Sequence, residues 1–575
     1  MQKTRPGAAI SHGHRDGTAE KTVHDARWKS RDGWAASGLL ALFLLTRWWW
    51  LHDLPGSAFY WEETYRWVAM QEIASGPVRP LLDYQADHYQ GGSLVTILLA
   101  VVLSPLTGTG LATLKVGALV FSSLSLLSLF ALVRSFFGWT AGMIAGLLYV
   151  AGPPLVAFWG VCLIGSHSEA VLASLWLVYV TLSLASGRWR GAPAYLLAGV
   201  LAALGIWFTP TAAIGVAACG LTWLLLRGLP GLRPFALLVA GFLVGCAPWL
   251  IYNASHDWAG LTRVVEVFGA RSSSDALRSQ NLWQRAADLA LVVPSVGLLD
   301  PAGVLAGSAW RPVVFAGAGA SAALGLLAGA RRIGQVLPSL RRPGLLPDPA
   351  RLEIVFWLYP VIFAAIYLAS RFTLEFDPRP VGFRLMVSSA VFAMPPLAIS
   401  AARGLEASGA RRLLAAIGTA VLLLSLGSAT ATLAAFYMAN GTPLRRLQGY
   451  QVQGRLAERK HPGSVLDAVR EIHPIRRADD RDFALQGLGW GMLESYEQNG
   501  TPEELQAALA RLPESELDQV RTGLLWAAHA RLDQVRNAAE RFDDASLRRS
   551  RQRLKAILDV VTAAASPPRT EPDPR

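Results

Sequence analysis

The sequence predicts an all-α, polytopic membrane protein that carries a helical soluble domain at its C-terminus. Of the 575 residues, 52% are hydrophobic and only 16% are charged, and the mean hydropathy is +0.34. An ordinary soluble domain carries about 25% charged residues, so a purely soluble protein is excluded. The high hydrophobicity also excludes a disordered chain. Residues 445–575 are much more polar, since they hold 21 basic and 20 acidic residues.

The net charge of +12 does not indicate a nucleic-acid partner. In a membrane protein, arginine collects in cytoplasmic loops and faces anionic lipid, which accounts for the basic balance. The three cysteines lie in or beside apolar stretches without CxxC spacing, so no zinc or redox motif is predicted. We therefore expect membrane lipid as the surrounding partner and no nucleic acid.

Residues 1–33 are polar and predict a disordered cytoplasmic tail, and residues 34–50 form the first apolar run. This run ends in Arg47 and three tryptophans, which is typical of a membrane interface. No small-residue cleavage site follows it, so it predicts a first transmembrane helix instead of a cleaved signal. The N-terminus is then cytoplasmic, and the chain is expected in the inner or plasma membrane as a multi-pass protein.

Eleven further apolar runs are suited to a hydrocarbon core of about 30 Å. They lie near 92–107, 111–133, 139–160, 168–186, 192–208, 211–227, 234–252, 311–329, 353–369, 384–401 and 412–438. Arginine-rich links predict which loops are cytoplasmic, and they place the C-terminal tail outside. Twelve passes would leave that tail inside, so a thirteenth is predicted within 139–167, where Gly152-Pro153-Pro154 interrupts the run.

The chain therefore divides into a transmembrane domain over 34–439, a helical extracytoplasmic domain over 440–566 and a disordered end over 567–575. Two long outer loops are predicted, over 52–92 and 253–310. In the C-terminal domain, Thr501-Pro502 followed by two acids predicts a helix start. Residues 483–492 resemble 520–529, a spacing typical of paired-helix repeats.

Ionisable residues indicate where chemistry takes place. Transporters keep charged groups near the bilayer centre along the solute path, whereas the apolar runs here are nearly free of them. Acids instead cluster in the first outer loop, at Asp53, Glu62, Glu63, Glu72, Asp83 and Asp87. This pattern favours binding or catalysis at the outer face over conduction through the membrane.

Several sequence elements, in this order, resemble the polyprenyl-phosphate-sugar-dependent glycosyltransferases of the GT-C fold, which include protein O-mannosyltransferases and the lipid A aminoarabinose transferase (family 39-like). They are residues 44–47, 60–65 with the acid pair, 89–94, 105–108, 134–138, 383–385 and 395–396. The resemblance implies a GT-C-like bundle of about 12–13 transmembrane helices. It also implies inverting transfer of a sugar from a polyprenyl-phosphate donor to an acceptor hydroxyl of a protein, lipid or glycan.

The chain departs from the family pattern at two places. Glu62 stands where the family usually has aspartate, and His88 to Gly92 stands where many members have His-Pro-Pro. These departures weaken assignment to the mannosyltransferase or aminoarabinose branch and leave the broader resemblance in place.

Glu62 is the candidate catalytic base by this resemblance. A single displacement needs a carboxylate to take the acceptor's proton, which typically contributes a factor of about 10²–10⁴. Because adjacent helical residues face different ways, Glu63 is expected to orient a neighbour or bind the acceptor. The alternative is that both acids form a solvated helix face.

The departing lipid phosphate develops negative charge, which arginine can meet. Arg384 and Arg271 are the candidates for that contact, although Arg384 also fits an interfacial arginine that contacts head groups. The remaining predicted substrate-binding residues are Arg47, Tyr65, His88, Gln90 and His167. For His167 the alternative is a capping or packed residue.

No cofactor is required by this scheme. A divalent metal at Asp83, Asp87 and His88 is possible but not supported, because Asp-x₃-Asp-His in a loop often arises by chance and members of the resembled family differ in their need for a metal. Two other functions stay open from the sequence: a transporter or flippase of lipid-linked glycans, and a non-catalytic membrane scaffold.

Overall fold

The computed structural model describes a defined subset of the chain: residues 30–51, 61–77, 80–85, 89–262, 282–287, 289, 311–336, 349–369, 385–439, 454, 457–458, 461, 464–475, 478–539 and 545–563. These residues are almost entirely helical. Among them, eight helices are long and apolar enough to cross a membrane, and three shorter apolar helices accompany them. The predicted all-α polytopic class is confirmed. Both predicted disordered tails lie outside the described residues, except for residues 30–33, which are helical.

The first part of the bundle contains eight helices. They are α1 (Ser30–Leu51), α2 (Trp61–Ser75), α3 (Gly92–Thr107), α4 (Leu111–Phe137), α5 (Trp139–Ala151), α6 (Pro154–Trp159), α7 (His167–Ala185) and α8 (Ala192–Phe208). A short 3₁₀ turn, Leu81–Tyr84, lies between α2 and α3. Gly138 separates α4 from α5 at a φ of 98°, a left-handed conformation that glycine adopts without strain.

The second part of the bundle contains the remaining apolar helices and two short ones. They are α9 (Ala213–Arg227), α10 (Leu232–Ser255), α11 (Leu282–Ala287), α12 (Arg311–Val336), α13 (Pro349–Leu352), α14 (Ile354–Ala369), α15 (Met386–Glu406) and α16 (Ala410–Ala439). Eleven of the twelve predicted apolar runs therefore each form one helix, and the run 139–160 forms two, α5 and α6. One extensive hydrophobic core joins helices from both parts of the bundle.

Polar contacts mark one end of this bundle. Arg47, near the end of α1, donates hydrogen bonds to the carbonyls of Tyr149 and Val150 at 3.5 and 3.2 Å. At the start of α7, His167 Nδ1 lies 3.1 Å from the Thr211 hydroxyl, which follows α8. These five residues lie at one end of the bundle, which we call the site end.

Arginines mark the opposite end, which we call the basic end. Arg134 pairs with Asp32 at 2.5 Å, joining the end of α4 to the start of α1. Arg188 donates to a carbonyl at the end of α4, and Arg227 donates to one at the end of α7. This is the end whose links the charge pattern predicts to be cytoplasmic.

Helix α3 begins and ends at the site end. Gly92 packs against the backbone of Gly165, while Gly117, one and a half turns into α4, packs against Leu163. Leu163 and Gly165 are only two residues apart, so the starts of α3 and α4 lie at a similar depth. A crossing helix of 16 residues would separate its ends by about 24 Å. We infer that α3 lies along the site end.

The segment 139–167 is broken where the sequence predicts a break, between α5 and α6. Helix α6 has only six residues and is about 9 Å long, so it does not supply the extra crossing predicted there. We infer that eleven of the described helices run between the two ends, namely α1, α4, α5, α7 to α10, α12 and α14 to α16. Helix α1 starts at the basic end, and α16 runs toward the site end past Thr430, which donates to the Gly152 carbonyl. The odd number arises because α3 does not cross.

The described C-terminal residues form a separate helical core. Its helices are α17 (Val465–Ile472), α18 (Ala478–Asn499), α19 (Pro502–Leu509), α20 (Glu514–Ala539) and α21 (Ala545–Ala563). Thr501 and Glu504 form a capping box at the start of α19, as predicted. The two similar segments pack against each other, because Gly489 meets the backbone of Val520 and Gly523 meets that of Gln486.

The position of α3 predicts which side of the membrane reaches the turn after it. In a chain whose native cysteines are replaced by alanine, Thr109→Cys should react with a membrane-impermeant maleimide from the same side as Asp257→Cys. Leu229→Cys, in the exposed turn at the basic end, should react only from the other side. Labelling of Thr109→Cys together with Leu229→Cys would mean that α3 crosses the membrane.

The C-terminal domain should lose stability as pH rises. Burial raises the pKa of Glu458 from its ordinary 4.5 to about 7, partly offset by a hydrogen bond from Ser495. Below pH 4.5 the carboxyl is neutral in both states, and above pH 7 folding must bury its charge. We expect a loss of about 3 kcal/mol between these values.

Hydrogen exchange of α18 amides in the full chain, corrected for intrinsic rates, measures this loss. Glu458→Gln should remove this loss between pH 4.5 and 7, whereas Glu503→Gln, an exposed acid in the same domain, should retain it. An unchanged dependence in Glu458→Gln would contradict the prediction.

Candidate active site

The two adjacent acids in the first turn of α2 point to different surroundings. Glu63 is fully buried: its Oε2 accepts a hydrogen bond from Lys115 Nζ at 2.6 Å, and its Oε1 accepts one from the Leu163 backbone N–H at 2.9 Å. The charge of Lys115 and the backbone donor compensate the cost of burying a carboxylate. Glu63 therefore ties α2 to α4 and to the segment before α7.

Glu62 lies on a more open side of α2, where 14% of its side chain is exposed. Its Oε2 is 3.6 Å from Nη2 of Arg66, one helical turn further on. Arg66 also donates to the carbonyl of Glu62 at 2.9 Å and to that of Ile164 at 2.5 Å. The Glu62 side chain therefore lies beside a buried cation and is partly exposed.

The turn formed by residues 160–166 supports this part of the site. Glu169 Oε1 accepts from the N–H groups of Ile164 and Gly165 at 2.9 and 3.1 Å, and its Oε2 accepts from Ser166 N–H and the Ser168 hydroxyl at 3.2 and 2.6 Å. A carboxylate at a helix N-terminus satisfies free backbone donors and favours the helix dipole. Glu169 thus fixes the backbone to which Glu63 and Arg66 bind.

His167 and Tyr65 have contacts within the protein. His167 is buried beside Thr211, and its carbonyl accepts a 3.4 Å hydrogen bond from Ser388 at the start of α15. The hydroxyl of Tyr65 donates to the Tyr84 carbonyl at 3.2 Å. These contacts position both residues at the site end, and substrate binding by them stays a prediction.

Gln90 and Arg47 are both buried. Gln90 precedes Gly91, whose N–H donates to the Trp207 carbonyl at 2.7 Å. This hydrogen bond joins the backbone just before α3 to the end of α8. Arg47 binds the last carbonyls of α5, and its guanidinium stacks 4.8 Å from the Phe43 ring. A cation at a helix C-terminus stabilises the helix dipole, and this contact explains why α5 can end inside the protein.

Three predicted substrate-binding residues, His88, Arg271 and Arg384, lie outside the described residues. The described part brings Glu62, Glu63, Tyr65, Gln90, Arg47 and His167 to the site end. Three contributors were not singled out as site residues from the sequence, namely Arg66, Lys115 and Glu169. Of these, Glu169 carries a sequence signal, because Ser166 and Glu169 have capping-box spacing.

Among the described side chains, no group of three His, Cys, Asp or Glu could hold a metal ion. Asp83, which the sequence places near Asp87 and His88, instead pairs with His256 at 3.2 Å. Asp87 and His88 are outside the described part of the chain.

Buried charges of the described bundle lie near its two ends. At the site end they are Arg47, Glu63, Arg66, Lys115, Glu169 and Arg285, which donates to the Tyr367 carbonyl near the end of α14, and at the basic end they include Asp32, Arg134 and Glu353. Glu353 pairs with Arg332 at 2.8 Å. No buried charged side chain among the described residues lies midway along a crossing helix, so the described charges form no path between the ends.

Comparison with known proteins gives structural likeness only. No protein-family model and no curated protein matches the chain. The chain is similar to ArnT from Cupriavidus metallidurans in the apo state, with a TM-score of 0.46 and 15% identity over 84% of this chain and 96% of ArnT. It is also similar to the same ArnT bound to undecaprenyl phosphate, with a TM-score of 0.45 and 15% identity over 74% and 80% of the two chains.

A further similarity is to the oligosaccharyltransferase of Archaeoglobus fulgidus in the apo form. The TM-score is 0.40 and the identity 13%, over 75% of this chain and 58% of the other. Likeness at these scores and identities does not assign the chain to a family.

The Glu63–Lys115 pair predicts a large loss of stability when only one partner is removed. Lys115→Met leaves a buried carboxylate without its cation, which typically costs about 3–5 kcal/mol. Thermal unfolding of the purified protein in lipid nanodiscs should show a clearly lower midpoint.

Two further variants control this measurement. Adding Glu63→Gln to Lys115→Met should restore part of the loss, because the amide is neutral and still accepts from Leu163. Lys555→Met, at an exposed position, should change stability by less than about 0.5 kcal/mol. A Lys115→Met protein as stable as Lys555→Met would show that the ion pair does not hold α2 in place.

Proposed function

We propose that this chain is a membrane glycosyltransferase of the GT-C class. It moves a sugar from a polyprenyl-phosphate donor to an acceptor hydroxyl at the outer face of the membrane. The proposal starts from the sequence resemblance around the acid pair. It is supported by one structural observation. Of the two adjacent acids, Glu63 is fully buried against Lys115 and the Leu163 N–H, whereas 14% of the Glu62 side chain is exposed beside buried Arg66.

The reaction is a single displacement with Glu62 as general base. The Glu62 carboxylate accepts the proton of the acceptor hydroxyl while the hydroxyl oxygen attacks the anomeric carbon. The bond between that carbon and the phosphate oxygen breaks, and the lipid phosphate leaves with the electron pair. One displacement inverts the anomeric centre, so no second carboxylate nucleophile is needed. In this proposal Arg271 and Arg384 meet the phosphate charge.

The orientation in the membrane follows from the arginines of the basic end. Arginine occurs at the junctions that follow α7, α9, α12 and α15, either in the link or in the adjoining helix ends, which favours the cytoplasmic side. The N-terminus then lies in the cytoplasm, and the site end and the C-terminal domain face outward. The C-terminal domain follows α16 in the chain, and in this proposal it lies on the outer side and presents or binds the acceptor.

A transporter or flippase is less well supported by the described structure. Translocation of a charged lipid-linked glycan needs polar or charged groups along the path, whereas the buried charges of the described helices are confined to the two ends. Catalysis at one face of the membrane needs charged groups only at that face, which agrees with buried charges at the site end.

Glu62→Gln tests the proposal. The amide cannot take a proton, so we expect transfer of a labelled sugar from polyprenyl phosphate into membranes of the source organism to fall by about 10²–10⁴-fold. Binding of unlabelled polyprenyl phosphate should not change. Glu72→Gln is the matched control, since this acid lies on the same helix and accepts from the Tyr84 hydroxyl, which an amide oxygen also does. Full transfer by Glu62→Gln would refute Glu62 as the base.

A further inference from the structure

Arg66 is a buried cation that contacts Glu62 and the 160–166 turn at the same time. Only 2% of the residue is exposed. Nη1 donates to the Glu62 carbonyl, while Nη2 donates to the Ile164 carbonyl and lies 3.6 Å from Glu62 Oε2. A planar guanidinium holds such a set of acceptors in fixed directions, which a lysine ammonium does not.

The partner of Arg66 on the far side is itself held rigidly. Ile164 N–H donates to Glu169, and the preceding N–H, of Leu163, donates to Glu63. Two consecutive residues of the turn therefore bind α2, one through Glu63 and one through Arg66. The guanidinium cannot move without losing its Ile164 contact, so it offers Glu62 a fixed positive charge.

We propose that Arg66 is a positioning residue, which holds the carboxylate of Glu62 in one orientation for proton transfer. The inference rests on the proposed function of Glu62 as the base. It assigns to Arg66 a task separate from lipid-phosphate binding, because its Nη1 and Nη2 groups are directed at protein carbonyls and at Glu62.

Other charged groups around α2 are engaged elsewhere. Glu63 pairs with Lys115, and Asp83 pairs with His256. Glu169 binds the turn amides, and Glu72 accepts from the Tyr84 hydroxyl. The neighbouring imidazole of His167 lies against Thr211. Arg66 is thus a cation whose described contacts place it at the Glu62 carboxylate.

The test measures Glu62 itself as well as transfer. The full chain in nanodiscs is labelled with a carbodiimide and glycine ethyl ester across a pH series, and the modification of Glu62 is read by mass spectrometry. Removing a cation 3.6 Å away favours the protonated carboxyl, so Arg66→Gln should move the labelling midpoint upward by about one pH unit or more. The acid limb of the pH–transfer profile should move with it.

Arg134→Gln is the matched control, because it removes a buried arginine paired with Asp32 at the basic end. It should lower stability and move neither profile. Arg66→Lys retains the charge and lacks the fork, so its labelling midpoint should stay near that of the wild type while kcat falls at least about tenfold. If Arg66→Gln does not fold, this split in Arg66→Lys decides the matter, and an unchanged kcat would overturn the proposal.

An unchanged Glu62 labelling midpoint in Arg66→Gln would overturn the positioning role directly. A shifted midpoint combined with full transfer by Glu62→Gln would instead overturn Glu62 as the base, and with it the catalytic role of Arg66. The shifted midpoint would then support only the contact between the two side chains. The labelling result and the transfer result therefore separate the two failures.

Discussion

The buried ion pair between Glu63 and Lys115 is the interaction on which the site end depends. One carboxylate joins α2, α4 and the 160–166 turn through a 2.6 Å contact with an ammonium and a 2.9 Å contact with the Leu163 N–H. Charges in a dry interior are costly unless they are paired and hydrogen-bonded. Because this requirement fixes the rotation of α2, the preceding residue, Glu62, is turned toward the more open side beside Arg66.

Residue type and periodicity predicted the helices but not the path of every one of them. Each apolar run is helical, since apolar composition and the absence of mid-run charges favour a helix. The run at 92–107 is as apolar as its neighbours, yet contacts of Gly92 with Gly165 and of Gly117 with Leu163 keep α3 at one end. Hydropathy measures affinity for lipid or a core, and it does not distinguish a helix that crosses from one that lies along a face.

The acid pair could be found from the sequence through family resemblance, and helix geometry predicted that its members face different ways. The partners could not, because Lys115 and Leu163 lie 52 and 100 positions from Glu63, and a single sequence carries no record of such contacts. Arg66 is only one helical turn from Glu62, but its decisive second contact is 98 positions away at Ile164. The capping role of Glu169 could be predicted from the nearby sequence, because Ser166 and Glu169 have the spacing of a capping box.

The most direct measurement is a cryo-electron-microscopy structure of the full chain in nanodiscs containing a polyprenyl phosphate. Glycosyl transfer with Glu62 as the base requires the phosphate to bind at the site end. A sugar and an acceptor hydroxyl must then fit between the phosphate and the Glu62 carboxylate. Density for the phosphate at that place, on the same side as the C-terminal domain, is the predicted result. A phosphate bound at the basic end, or a Glu62 carboxylate sealed from the bound lipid by intervening helices, would contradict it.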